Sequence, residues 1–160
     1  MRLRTKNFGE LEIEGEKEIY FKNGILGFEK IKRFIILDNK KHAPFKWLQA
    51  VTDPDIAFVI IEPAILIECY DPNLKHEDLL ELKLMDKKEA CFYAIVVVPK
   101  NIKEMSANLK APIVINNKNR LGKQIVLEDS KYSIRHNILH HLRTLNTKEK
   151  NSKNTAVSGC

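Results

Sequence analysis

The chain has 160 residues, 44% of them hydrophobic and 30% charged, which fits one ordinary globular domain and excludes a disordered protein. Its net charge of +6 raises nucleic acid as a partner, but the excess is spread along the chain and aromatics are not interleaved with it, so a direct RNA-binding module stays the second reading. No apolar run approaches the ~20 residues of a membrane helix, and no apolar signal core follows the basic start Met1–Lys6, so the expected location is cytoplasmic and away from membranes.

In chain order, Glu10-Leu11-Glu12-Ile13-Glu14 alternates strictly between Gly9 and Gly15, the pattern of a strand with one buried face, and predicts a hairpin of residues 2–8 with 10–14. Further strands are expected over 18–22, 33–38, 45–51, 56–62, 64–70, 90–98, 105–109, 112–116 and 122–128. Asn23-Gly24, Asp53-Pro54, Asp71-Pro72 and residues 116–119 supply the turns between them. Two helices are expected. Residues 75–85 hold good helix formers after Asp71-Pro72-Asn73, and residues 132–145 put Ile134, Ile138, Leu142 and Leu145 on one stripe.

About ten strands against two helices are too few helices for a parallel α/β sheet. The expected fold is mainly β: a small antiparallel β-barrel-like single domain with one or two short helices. Residues 1–145 form that domain, and 146–160, with Lys148, Lys150 and Lys153 against Glu149, form a flexible basic tail. The runs 56–61 and 92–98 are apolar on both faces, so something must cover the outside of the barrel, either the helices or a partner.

Chemistry is sparse. Cys69, Cys91 and Cys160 are far apart, without a CxxC pair, and imply neither a disulfide framework nor a zinc cluster; Cys69 and Cys91 read as small core residues. His136 and His140, four apart on the expected second helix, would suit two zinc ligands, yet no HExxH glutamate accompanies them and the reading as a polar helix face prevails. No GxSxG, P-loop or GxGxxG occurs, so no enzyme, cofactor or metal is expected.

What remains is a series of short mixed motifs: Gly24-Ile25-Leu26-Gly27-Phe28-Glu29, Trp47-Leu48-Gln49, Asp53-Pro54, Ala57-Phe58-Val59, Asn108-Leu109-Lys110-Ala111-Pro112-Ile113, Gly122-Lys123-Gln124, and Tyr132 with Arg135-His136. In that order they resemble the FliW family of bacterial flagellar assembly factors, over roughly residues 5–140. Leu26 stands where the family pattern has proline, and Ala50 where serine is common. The resemblance implies a β-barrel-like body, no catalysis, and two protein partners: flagellin, and the RNA-binding translational repressor CsrA, which the family keeps from blocking flagellin synthesis. The expected partner contacts on these motifs and on the run 108–116 are Phe28, Glu29, Trp47, Asn108, Leu109, Lys110, Pro112, Asn116 and Gln124, with Phe28 reading equally well as a core plug. Trp47 reads equally well as a core anchor. Within 108–116, Pro112 marks a strand start or an edge, Val114 is expected to point away from the core, and the side chains of Asn108 and Asn116 bracket the run for a partner's backbone.

Overall fold

The computed structural model describes residues 1–38, 40–128 and 131–142. The expected tail 146–160 lies outside the described residues.

Among the described residues there are eleven strands: β1 (Arg2–Thr5), β2 (Gly9–Glu12), β3 (Ile19–Phe21), β4 (Arg33–Asp38), β5 (Lys46–Ala50), β6 (Ala57–Ile61), β7 (Ala90–Val97), β8 (Ser106–Ala107), β9 (Ile113–Asn116), β10 (Leu121–Gln124) and β11 (His136–Asn137). One helix, α1 (His76–Glu81), follows β6, and residues 139–142 are helical. The main sheet runs β11-β8-β7-β6-β5-β4-β3-β10-β9, and β9 also pairs with β7. That second pairing closes a seven-stranded barrel. β7 makes closure possible because it is long: Ala90–Tyr93 pair with β9, and Val96–Val97 pair with β8 along the same course. The pairings of the barrel are antiparallel except β3 with β10, which is parallel.

Gly122 explains how that parallel pair fits. A Cβ there would lie 2.5 Å from the ring of Phe21, which is fully buried, so only glycine admits the ring against the β10 backbone. Phe21 meets Phe34 edge-to-face at 5.2 Å, Phe34 meets Phe58 at 6.2 Å, and Phe58 meets Phe28 at 5.1 Å. This chain of rings fills the lumen with Ile19, Leu48, Ile60, Ile113 and Ile115. Each such side chain, fully buried, contributes about 1.5–3 kcal/mol.

The cover for the outer face comes from the chain itself. Ile61, Ala94, Val96 and Val114 face outward and are sealed by Leu66, Leu82, Leu84, Leu127, Tyr132 and Ile138 from the connections and from α1. On the other side the β1–β2 hairpin lays Leu3, Leu11 and Ile13 on Ile35 and Leu37 of β4.

Several expectations fail for identifiable reasons. Residues 64–70 are not a strand; Pro63 starts a 3-10 turn over Pro63–Ile65, and among the described residues no strand lies alongside 66–70 to pair with them. The helix expected over 132–145 is not formed before residue 139, because the backbone of 133–138 is used by 105–109: Leu109 N–H donates to Ser133 O and Ile138 N–H to Met105 O. Asn137 then caps the helical turn, its Oδ1 accepting from Leu139 N–H at 3.2 Å. Cys69 is exposed, with φ 58°, and not a core residue; Cys91 is half-buried. Strand 112–116 is not an edge. β9 is paired on both sides, and Val114, 0% exposed, faces the outer core.

Candidate protein-docking surface at one end of the barrel

The strand directions bring the ends of β3, β5, β7 and β10 and the starts of β4, β6 and β9 to the same end of the barrel. The loop 22–32 crosses that end. Gly24, at φ +64°, makes its tight turn possible, since a Cβ there would meet the Glu29 backbone at 2.7 Å. Ile25 and Phe28 form a single β-bridge, and the Glu29 carboxylate accepts the Gly27 N–H at 3.0 Å. The N–H groups of Gly27 and of Glu29 itself hold that carboxyl below the usual carboxylate range.

This loop is tied to the far end of the sequence by Gln124, whose Oε1 accepts the Leu26 N–H at 3.0 Å and whose Nε2 reaches Ala111 O at 3.3 Å. Asn108 shapes the adjoining turn, its Oδ1 accepting from Lys110 N–H (3.1 Å) and Ala111 N–H (3.0 Å). Around the plug of Phe28 a group of apolar side chains stands in solvent: Leu26 is 61% exposed, Val97 58% and Val126 55%. Val97 follows the Val59↔Val96 pair, so the same register carried on one residue sets it beside Phe58, on which Phe28 rests. Lys22, Lys30 and Lys32 at the loop 22–32 and Lys110 in the adjoining turn have no ion-pair partner among the described residues.

The expected contact residues therefore divide. Phe28, Glu29, Asn108, Lys110, Pro112 and Gln124 come together at this one end, although the side chains of Asn108 and Gln124 already serve internal bonds and Pro112 is buried. Leu109 is 0% exposed and belongs to the outer core. Asn116, 2% exposed, lies at the opposite end of β9; its Nδ2 donates to Leu82 O (2.8 Å) and Lys83 O (3.3 Å) at the end of α1. It is not offered to a partner's backbone, because a buried amide is satisfied inside the fold. Trp47, on the outer face of β5, packs edge-to-face on Phe8 (5.3 Å) and His42 (5.4 Å) and anchors the N-terminal hairpin. Its neighbour Gln49, fully buried, donates through Nε2 to the carbonyls of Ala50 and Ile56 and knits the β5–β6 turn.

His136 sits in β11 and not on a helix with His140, so the two do not share a helix face, and its Nε2 is 3.1 Å from that of His141. Among the described residues no group of three or more His, Cys, Asp or Glu side chains is placed to hold a metal ion. No described helix is long and apolar enough to cross a membrane.

The family model described as "FliW protein" matches residues 2–138. The chain belongs to the FliW family. Among FliW relatives, the flagellar assembly factor FliW of Thermoanaerobacter pseudethanolicus is 45% identical over 144 residues, covering 89% of this chain and 96% of its own. That of Alkaliphilus metalliredigens is 41% identical over 160 residues, covering 99% of both. A crystal structure of the flagellar assembly factor FliW superposes with a TM-score of 0.80 at 35% identity, covering 86% of this chain and 96% of that one. The family's barrel and the ordered motifs thus agree with what the strand count and loop residues indicated.

Proposed function

We propose that this chain is a non-catalytic, cytoplasmic flagellar assembly factor that binds flagellin and also binds CsrA, keeping CsrA from repressing flagellin translation. The relatives carry the first half of that reading in their name, flagellar assembly factor. The observation that carries the binding role is the exposed apolar group Leu26, Phe28, Val97 and Val126 at the barrel end. Newly made flagellin competes for the factor and releases CsrA, so synthesis follows secretion. A net charge of +6 favours binding beside the RNA face of CsrA over imitation of RNA, which would require an acidic surface against that basic face. Residues 1–145 serve as the binding domain, and 146–160 as an appended basic tail.

Titration calorimetry of the purified protein with flagellin monomer and, separately, with CsrA tests this reading. Binding to both is expected. Failure to bind either at micromolar concentration overturns it, and an affinity for flagellin leader RNA that falls steeply with salt would put the RNA-binding alternative in its place.

A further inference from the structure

In an antiparallel pair, successive residues turn their N–H and C=O to opposite sides. Ile125 N–H donates to Pro112 O at 3.0 Å and Leu127 N–H to Lys110 O at 2.8 Å, so Gln124 and Val126 present their backbone groups to the other side. That side is occupied by β3 as far as Gly122↔Phe21, after which β3 departs into the Gly24 loop. Among the described residues no backbone hydrogen bond engages Val126. β10 ends at Gln124, but the bonds of Ile125 and Leu127 carry the extended pairing on past it, and among the described residues its other side is open over 124–126, without a proline to blunt it.

Beside this edge runs a groove of about 310 Å³, with residues 123–128 on one wall and Asn73, Leu74, Lys75, Glu77 and Asp78 on the other. Two lysines make ion pairs across it. Lys123, low in the groove, is held by Asp78 at 2.8 Å and Glu81 at 2.7 Å. Lys75 reaches Glu128 at 2.6 Å between side chains 58% and 79% exposed, a contact that an incoming chain displaces at little cost. Glu77 has no ion-pair partner among the described residues. Carboxylates thus outnumber cations here, since Lys75 and Lys123 face Asp78, Glu81, Glu128 and Glu77, the last acting on Lys75 only at longer range, and the exposed apolar lining is Val126.

We propose that this groove receives an extended segment of a partner protein as an added strand on Gln124–Glu128, a segment apolar at alternate positions and carrying a lysine or arginine that pairs with Glu77 or Glu128. Main-chain bonds to Val126 supply the affinity, and the apolar and basic side chains supply the choice. The inference rests on the protein-binding reading above. It adds a docking element next to Leu26, which Gln124 ties to the same edge.

Purified flagellin monomer and purified CsrA are the probes. One of them is expected to slow hydrogen exchange at the amides of Val126 and Glu128. Val126→Pro, which removes an N–H that no described residue uses, is expected to weaken that partner by roughly tenfold, the worth of a strong main-chain bond, while Val126→Thr stays within about twofold. Should Val126→Pro also lower the unfolding temperature, Glu77→Lys carries the test as a surface change and is expected to weaken the same partner. Unchanged binding by both variants overturns the inference while leaving the functional reading intact. So does protection of Val126 in the free full chain that disappears on removal of residues 146–160, since the edge would then be filled by the protein's own tail. A parent protein that binds neither probe overturns the functional reading, and this inference with it.

Discussion

The side-chain oxygen of Gln124 accepts the backbone N–H of Leu26 at 3.0 Å, joining the end of β10 to the loop 22–32 across 98 positions of sequence. That bond makes strand end and loop one surface. Gln124→Leu is expected to lose about 0.5–1.5 kcal/mol of stability, the net worth of one such bond, measured by urea unfolding. Hydrogen exchange at Leu26 should accelerate while exchange at Phe34 in the lumen does not change. Equal acceleration at both would mean that the bond supports the whole barrel.

Lys110 and Asn108 are not interchangeable as probes of docking. Asn108 caps the turn at 110–111, so Asn108→Ala is expected to destabilise the protein by ~1 kcal/mol. The Lys110 ammonium makes no ion pair among the described residues, and Lys110→Ala should leave the unfolding midpoint unchanged. A loss of flagellin or CsrA affinity in Lys110→Ala is therefore a surface effect, whereas a shifted midpoint in that variant would assign the lysine to the scaffold.

Asn116 joins the end of α1 to the barrel. Asn116→Ala strands the Leu82 carbonyl and removes a buried amide, at an expected cost of about 1–3 kcal/mol. Leu109→Ala, in the outer core, is expected to cost about 2–5 kcal/mol. Both variants should keep their affinity per folded molecule for flagellin and CsrA, and a folded Leu109→Ala protein with lost affinity would restore that residue as a contact.

Lys83 closes α1 at φ 54°, where Leu84 N–H returns to Leu79 O at 2.8 Å, the Schellman arrangement that glycine favours. Lys83→Gly is expected to stabilise the protein by roughly 0.5–1 kcal/mol, because glycine takes the left-handed conformation without a Cβ penalty. The Asn116 bond uses only the Lys83 carbonyl and survives the change. A lower unfolding midpoint would show that the lysine side chain contributes something that this geometry does not account for.

Burial and the neighbouring His141 lower the pKa of His136 in the folded protein. The neutral ring is thus favoured by folding: its contribution is present above the unfolded pKa of about 6.5 and is lost as pH falls through the lower folded value. Stability should decline on acidification below pH ~6.5, before the carboxylates titrate, and His136→Gln should flatten that part of the profile. An unchanged profile in the variant would place the titration elsewhere.

The class and most of the strands follow from local patterns in the sequence. Alternation in 10–14, the apolar runs of 33–38, 56–62 and 90–98, and turn pairs such as Asn23-Gly24 are local signals, and β1–β2, β4, β6 and β7 lie where they indicate. The ordered loop motifs were also legible, because Gly24 and Gly122 are dictated by close backbone approaches that no other residue tolerates. Only the tertiary structure decided which motif residues are accessible. Leu109, Pro112 and Asn116 lie within a few residues of Lys110 yet are buried, and Trp47 turned out to hold a hairpin. The same holds for 132–138, where a helical stripe lost to backbone bonds offered by 105–109, and for Val114, whose outward face is covered by loops distant in sequence. Period and turn chemistry act over a few residues, whereas burial is set by which distant segments close over a strand, and that depends on the closure of β9 onto β7.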